Sequence, residues 1–436
     1  MRISNPEFQR NLWLEITSNR LISMPLILSI LFFLIYTIHG QAFNRDVAGN
    51  VVMIYTILTI FWGVNMASES IFSELRNHTW DNQCMSSMSA WTLVWGKLLG
   101  STIYVWYGAL FCLLLYAYSA GVEPFQLIKN VTLLVSSGLL AQGLAMLFSL
   151  MLIRKHAKSN KAAALSLTFL VSMPVSTVLY LTLSDLVVSW YGFSIAIFDM
   201  ALWSVLSFLG WVWVANLRLM RAELQSSNSI IVWLLFVIYT MVYVAGFSDP
   251  ASTTTGGGAS FYIAKAFYIA IILTYFILLS EAKAPMNYVV LLNYVKAKKW
   301  MAMQFVLPCW VGALMLAWFS AILTPIINHS IADMLMLLAI LFFVMRDICI
   351  VLYLNFSEHK KRADITALLY LAILYGILPA IFSILGMGSL NAVFRPSPTE
   401  SNLVISVAAA LLEFMFVFWM MRQRWKANVQ INPQVV

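Results

Sequence analysis

Charged residues are scarce in this chain: Asp, Glu, Lys and Arg make up only 10% of its 436 residues. Soluble domains usually carry about 25% charged residues, so the composition excludes a protein whose whole surface faces water. Cysteine is also rare, and the four residues form no CxxC pair, which favours buried core positions. They are Cys84, Cys112, Cys309 and Cys349.

Motifs for catalysis and nucleotide binding are missing as well. The one Gly-Lys pair, Gly96-Lys97, has Trp91 where a phosphate-binding GxxxxGK[ST] loop needs its first glycine. The five histidines are dispersed and form no HExxH or similar metal spacing, and no Ser/His/Asp set is suggested. We therefore expect no enzymatic activity and no cofactor on this chain.

Hydrophobic residues make up 61% of the chain, and long apolar runs recur from end to end. Runs of about 18 or more residues can cross a bilayer as helices, which predicts an all-α polytopic membrane protein with about twelve transmembrane helices. The predicted spans are residues 21–40, 50–70, 98–119, 130–153, 163–184, 194–217, 229–247, 261–281, 302–324, 331–354, 365–388 and 401–421.

These spans divide into two six-span halves, whose layout is that of repeats in parallel orientation. The run 21–40 is long enough to remain in the membrane as a signal anchor. The predicted organisation is a cytoplasmic interfacial helix at 1–20, a first half at 21–217, a linker at 218–229, a second half at 230–421 and a cytoplasmic tail at 422–436.

The segment before the first span has an apolar and a polar face. Phe8, Leu12 and Ile16 recur at helical spacing, which predicts an amphipathic helix lying flat on the cytoplasmic membrane interface. Such a helix either anchors the first span or acts as a mechanical elbow for a moving one. The opposite, polar face carries Glu7, Arg10, Asn11 and Glu15.

Lysine and arginine are distributed unevenly between the two sides of this topology. Most of the 26 cationic residues collect at one end of the spans, and only Arg45, Lys129, Lys265 and Arg395 fall at the other. Positive charge stays in the cytoplasm during insertion, which predicts a bacterial-type inner (plasma) membrane protein with both termini cytoplasmic. The net charge of +8 therefore reflects the orientation of the chain in the membrane, and no nucleic-acid partner is expected.

Arg346, Asp347 and Glu413 lie well away from the ends of their predicted spans, where a charged residue costs about 2.5–3.5 kcal/mol on insertion scales. Arg346 and Asp347 are adjacent, so they should point about 100° apart and be poor partners for each other. Pairing of Arg346 with Glu413, or pairing centred on Asp347, would neutralise them. The set is either an interhelical ion pair or an intramembrane polar site that lines a substrate path or proton relay.

A polar stretch with several tryptophans, SELRNHTWDNQCMSSMSAWTLVWGK at residues 73–97, separates the second and third spans. Trp80, Met85, Met88 and Trp91 supply an apolar side between polar residues. Such a segment could float on lipid headgroups as an interfacial helix. It could equally fill a groove on another protein, since Trp and Met are favoured interface anchors.

The 73–97 segment resembles the signature of type-2, exporter-like ABC transporter permeases. Two departures are visible: Asn77-His78 replaces a glycine before Thr79, and Ser87 or Met88 stands where a proline is common. The matching residues are the charged pair Glu74 and Arg76, the core Thr79, Trp80 and Asp81, the turn serine Ser89, and Gly96 and Lys97 opening the next span.

The N-terminal stretch NPEFQRNLW is similar to the elbow that opens these permeases, through Asn5, Pro6 and Arg10. The resemblance implies that the 73–97 segment is a coupling element that docks onto a separate ABC ATPase subunit. ATP and Mg would then bind on that partner, and substrate would be exported. The counterpart in the second half, residues 281–300, lacks the signature residues, so the two docking sites would be unequal.

Two copies of the ATPase are expected. One twelve-span chain would serve both, or two chains would form a homodimer, and membrane lipids and further transporter subunits are the other expected partners.

A different class of function also stays open. An autonomous ion-coupled secondary transporter would use the carboxylates of Asp347 and Glu413, but it would need no tryptophan-bearing docking segment at residues 73–97.

Overall fold

A computed structural model of the chain describes residues 5–85, 88–154, 161–181, 186–225, 230–248, 258–281, 283, 285–357, 363–387, 390–396 and 400–427. Helices dominate these residues, which confirms the predicted all-α membrane class. The chain forms two compact units. Unit 1 comprises Met1–Val188 and Ser194–Asn228, and unit 2 comprises Ser189–Phe193 and Ser229–Val436.

Unit 1 contains ten helices among its described residues, and its last helix follows two short strands. The helices are α1 Pro6–Glu15, α2 Ser18–Ile38, α3 Arg45–Thr56, α4 Gly63–Arg76, α5 Trp80–Cys84, α6 Ala90–Ser101, α7 Ile103–Ser119, α8 Pro124–Arg154, α9 Lys161–Leu181 and α10 Ile197–Gln225. The strands are β1 Val187–Trp190 and β2 Phe193–Ala196, and the residues they contribute to the range 189–193 belong to unit 2.

The described part of unit 2 is also helical. The short strand β3, Phe247–Ser248, pairs antiparallel with Ser189 and Trp190, which belong to the same unit. The helices are α11 Ile230–Ala245, α12 Ala259–Ser280, α13 Pro285–Lys296, α14 Trp300–Met303, α15 Cys309–Asn328, α16 Ile331–Asn355, α17 Ala363–Ala372, α18 Leu378–Ile384, α19 Asn391–Phe394 and α20 Glu400–Trp425.

Nine helical stretches among the described residues are long and apolar enough to cross a membrane. A tenth forms if α6 and α7, which meet at a bend of 56°, are one broken span. The predicted spans at 163–184 and 229–247 correspond to α9 and α11, whose described apolar stretches are shorter. The count of twelve therefore stays a prediction.

One predicted span begins in the wrong place. The sequence predicts a span over 302–324, but α15 begins at Cys309 and runs to Asn328. Pro308 precedes it in extended geometry (φ −60°, ψ 136°). A proline cannot donate the backbone hydrogen bond that a helix interior requires, so the long helix starts after it.

Two π-helical segments interrupt long helices, at Ile57–Trp62 and Ile373–Ile377. In unit 1 the widened backbone receives a polar side chain from α8. Gln142 donates to the Thr59 carbonyl at 3.1 Å, and its own Oε1 accepts from Trp106 Nε1 at 3.0 Å. A buried amide thus satisfies backbone polarity where regular helical pairing is disturbed.

Three of the four cysteines, Cys112, Cys309 and Cys349, are buried and unbridged, as expected from their scatter. The side chain of Cys84 lies outside what the structure describes. In unit 2 the largest core is built by α12, α15 and α16, with small residues such as Ala313 and Ala317 allowing the helices to approach closely.

Candidate functional site

Helix α1 packs its polar face onto the protein. Asn5 caps the helix by accepting from the Glu7 and Phe8 amides, and Pro6 occupies the first turn, where it needs no partner. Glu7 and Asn11 are buried, whereas Trp13 is 72% exposed. The amphipathic helix is therefore as the sequence predicts, but the face that carries Glu7 and Asn11 is directed inward.

Glycines on α6 allow this close contact. A Cβ atom on Gly96 would lie 2.6 Å from the Cβ of Glu7, and one on Gly100 would lie 2.8 Å from the Cβ of Asn11. Asn11 Nδ2 donates to the Gly96 carbonyl at 3.2 Å. Asn5 Nδ2 also donates to the Thr92 carbonyl at 2.8 Å. Gly96, the glycine of the Gly-Lys pair, thus leaves the space in which α1 packs against α6.

Four charged side chains meet between α1, the end of α4 and α6. We call Glu7, Arg10, Glu74 and Lys97 the elbow cluster. Lys97 is 1% exposed and donates to Glu74, and its Nζ lies 3.5 Å from Glu7 Oε1. Arg10 Nη2 lies 2.8 Å from Glu7 Oε1 and 2.7 Å from Glu74 Oε1. Two cations and two carboxylates neutralise each other, which burial of such groups requires.

The half-exposed Arg10 closes the elbow cluster on its open side. Burial alone would lower the pKa of its guanidinium, but the hydrogen bond to Glu74 and the negative charge of Glu7 outweigh that effect. The pKa of Arg10 therefore rises above its ordinary value, so the guanidinium stays charged beside the two carboxylates.

The short helix α5 is held against the same cluster. Gln83 Nε2 donates to Glu74 Oε1 at 2.6 Å, and the Lys97 ammonium lies 5.7 Å from the centroid of the buried Trp80 ring. The Thr79 amide donates to the Glu74 carbonyl at 2.9 Å and closes the turn before α5. Glu74, Thr79, Trp80 and Lys97 are thus brought together.

The turn before α5 also shows how a residue other than glycine fits directly before Thr79. His78 stands at that position with φ of 55°, in the left-handed region that glycine adopts without strain. A histidine tolerates this conformation better than a β-branched residue would. His78 therefore takes, directly before Thr79, a backbone conformation that glycine commonly adopts.

The remaining predicted site residues lie apart from the elbow cluster. Arg76 pairs with Glu69 of the same helix and not with the residues around Glu74. Ser89 begins α6 by accepting from the Thr92 amide at 3.2 Å. The side chain of Asp81 lies outside what the structure describes. Contact of any of these residues with an ATPase stays a prediction.

Sequence reasoning missed three participants: Glu7, Asn11 and Gln83. Glu7 and Asn11 are four residues apart on the polar face of the predicted helix, and amphipathic spacing names no partner for them. A usable signal was present, since two small residues at Gly96 and Gly100 have the same spacing and mark a surface where another helix can approach. Nothing in the sequence around Gln83 points to its bond with Glu74.

Unit 2 contains a second polar network, inside α16 and its neighbours. Arg346 of α16 donates to Glu413 of α20, so the predicted interhelical pair is present. Arg346 Nε also donates to Asp347 Oδ1 at 2.9 Å. The expectation that these adjacent residues are poor partners is therefore wrong, because the long arginine side chain folds back to reach its neighbour.

Two tyrosines complete this network. Tyr275 of α12 and Tyr375 of the Ile373–Ile377 segment donate to Asp347 Oδ2 at 2.6 and 2.7 Å. Asp347 is thereby fully buried with every oxygen hydrogen-bonded, while the Glu413 side chain is 26% exposed. The geometry is that of a clamp joining four helical elements. A role for these residues in lining a polar path stays a prediction.

The described residues include no group of three or more His, Cys, Asp or Glu side chains placed to hold a metal ion.

Comparison with known proteins supports one family. Residues 37–195 match the family model described as ABC-2 family transporter protein. The match includes the 73–97 segment, covers just over a third of the chain, and confirms the predicted resemblance to ABC permease subunits over those residues. Helix α1 lies outside the match, so its role rests on its contacts. No curated protein and no solved structure matches the chain.

The close packing of α1 against α6 predicts opposite effects on stability for two glycine substitutions. Gly96→Ala should destabilise the purified chain by about 1–3 kcal/mol, because the new methyl group overlaps Glu7. Gly49→Ala in α3, where a Cβ meets nothing within 4 Å, should stabilise it by about 1 kcal/mol through helix propensity. Thermal unfolding in detergent measures both. A stabilising Gly96→Ala would contradict the contact.

The clamp in unit 2 predicts a non-additive result. Arg346→Met leaves two carboxylates without a cation and should destabilise the chain by about 3–5 kcal/mol. Adding Asp347→Asn and Glu413→Gln removes both orphaned charges and should recover most of that loss. The same unfolding measurement tests this, and a triple variant as unstable as Arg346→Met would refute the clamp.

Proposed function

We propose that the chain is the transmembrane permease subunit of an ATP-driven ABC exporter, in which a separate ATPase subunit hydrolyses ATP. The match over residues 37–195 supports a permease subunit, and the membrane-spanning helices fit that role. The observation that carries the coupling proposal is the elbow cluster, because it joins the 73–97 segment to α1, which leads into the first long apolar helix α2.

The 73–97 segment offers a small exposed surface for the partner. Met85 is 78% exposed, and Asn77, His78 and Asn82 are also exposed on the turn and helix that precede it. Glu74, Trp80 and Lys97 are buried, so they give the segment its shape and do not themselves meet the partner. An ATPase would thus contact a surface whose position is set by the buried charges beneath it.

Force applied to this surface has a short route to the membrane helices. Glu74 and Lys97 connect the segment to α1, and only Ile16 and Thr17 separate α1 from α2. Helix α2 buries only Met24 and Leu28, so few contacts oppose its movement. A tilt of the segment would therefore carry α1 with it and displace α2.

A second route runs through the bend between α6 and α7. Lys97 and Gly96 lie on α6, and the chain turns by 56° at Thr102 before continuing as α7. The Thr102 hydroxyl donates to the Leu98 carbonyl at 2.7 Å. This hydrogen bond keeps the backbone ordered at the bend, although the helix is broken there. Movement of the elbow cluster would change the angle at which α7 crosses the bilayer.

The expected assembly follows from the same proposal. The chain lies in the inner membrane with both termini cytoplasmic, so the 73–97 segment faces the compartment that holds ATP. Two ATPase copies bind, with ATP and Mg on those partners. A single chain contributes both six-span halves, and a homodimer of chains is the alternative arrangement.

Docking at residues 73–97 predicts a local sensitivity to charge. Met85→Asp should weaken association with the ATPase roughly tenfold or more, because a carboxylate would be desolvated at the contact. Met387→Asp, at an exposed turn after α18, is the matched control and should associate normally. The tagged chain would be isolated in mild detergent and the ATPase quantified by mass spectrometry.

Two outcomes would count against the proposal. Equal ATPase recovery with the parent and Met85→Asp chains would place the docking surface elsewhere. A parent chain that is isolated intact without any ATPase would favour the ion-coupled carrier instead.

A further inference from the structure

The counterpart segment in unit 2, residues 281–300, is anchored at its beginning. The Glu281 carboxylate accepts from the Cys309 amide at the start of α15, with Oε2 at 3.1 Å. Lys283 Nζ lies 2.9 Å from Asp364 Oδ1, near the start of α17. Both anchors lie at ends of long apolar helices, so the segment begins beside the membrane surface.

Beyond these anchors, α13 is poorly covered by protein. Tyr288 contacts the rings of Phe356 and Trp425, with centroids 5.5 and 6.3 Å away. No residue of α13 is buried, and the apolar side chains of Met286 and Leu292 are about half exposed. Trp300, which begins α14, is 63% exposed.

The same segment carries a positive charge that is not neutralised within the described structure. Residues 283–300 contain no Asp or Glu. Lys296, Lys298 and Lys299 are exposed and form no ion pair among the described residues. The 73–97 segment of unit 1 differs, since its buried Lys97 is neutralised by Glu7 and Glu74.

We propose that residues 285–300 bind the anionic headgroups of membrane lipids. Lysine ammonium groups pair with lipid phosphates while their stems lie along the interface. Tryptophan is favoured at the headgroup level, and exposed apolar side chains such as Leu292 enter the acyl boundary. Charge and exposed apolar area, found together beside the ends of spans, fit a lipid surface better than water.

This assignment differs from the sequence expectation of a second, unequal docking site. It does not depend on the ATPase docking at residues 73–97, because none of its residues lie in that segment. The two proposals therefore stand or fall separately. A protein partner on residues 285–300 is the competing occupant, and the experiment below includes it as an outcome.

The test compares two triple variants with the same loss of charge. The first is Lys296→Gln, Lys298→Gln and Lys299→Gln. The control removes three cations at the opposite ends of the spans: Arg45→Gln, Lys129→Gln and Arg395→Gln. Phosphatidylglycerol is titrated into each detergent-solubilised full chain, and bound lipid is counted by native mass spectrometry, with phosphatidylcholine as the uncharged reference.

Each lysine near an anionic surface contributes about fivefold to affinity. The first triple variant should therefore lose about a hundredfold in phosphatidylglycerol affinity and keep its weak phosphatidylcholine binding. The control should bind phosphatidylglycerol like the parent, and added salt should weaken parent binding towards that of the first variant.

Two results would overturn the proposal. Parent-like phosphatidylglycerol affinity in the first triple variant would show that these lysines do not hold lipid phosphates. Unchanged lipid affinity together with loss of one ATPase copy per complex would assign the segment to the protein partner. Thermal unfolding of each variant in the same detergent confirms that the compared chains are folded.

Discussion

The ion pair between Glu74 and the buried Lys97 is the contact on which the arrangement of α1, α4, α5 and α6 depends. A lysine ammonium that is 1% exposed is strongly destabilising unless a carboxylate and further hydrogen bonds compensate for its lost hydration. A pair of Glu74 and Lys97 alone would leave the Oε1 atom of Glu74 without a hydrogen-bond donor. Glu7 and Arg10 of α1 and Gln83 of α5 complete the set. Each pair is neutral by itself, so it is the cross-contacts of Arg10 with Glu74 and of Lys97 with Glu7 that hold α1 against the 73–97 segment.

Unit 2 solves a related problem with different side chains. Its network has one cation, Arg346, for the two carboxylates of Asp347 and Glu413. The tyrosine hydroxyls of Tyr275 and Tyr375 supply the hydrogen bonds that a second cation would otherwise give. Hydroxyl donors satisfy Asp347 without adding charge, which suits a position within a long apolar helix. The elbow cluster instead uses two full cations, and one of them, Arg10, reaches the surface.

Hydropathy was sufficient to predict the helical membrane class, and the charged pair Arg346 and Glu413 could be matched because unpaired charges in apolar helices are costly. The resemblance of residues 73–97 located the Glu74 to Lys97 region but not its geometry. Amphipathic spacing separates the two faces of α1 without saying which one meets protein, so the burial of Glu7 and Asn11 could not be predicted. The partners of Gln83 and the reach of Arg346 to Asp347 depend on side-chain conformations. No spacing rule encodes these conformations.

The most direct measurement of the central claim is ATPase affinity in four chains with the same exposed surface: the parent, Glu74→Gln, Lys97→Met and the double variant. Each single variant leaves a buried charge unbalanced and should weaken association, whereas the double variant retains the Glu7 and Arg10 pair and should recover much of the affinity. The coupling energy between the two substitutions should be about 1–3 kcal/mol. Additive losses, or single variants that bind the ATPase like the parent, would contradict transmission through the elbow cluster.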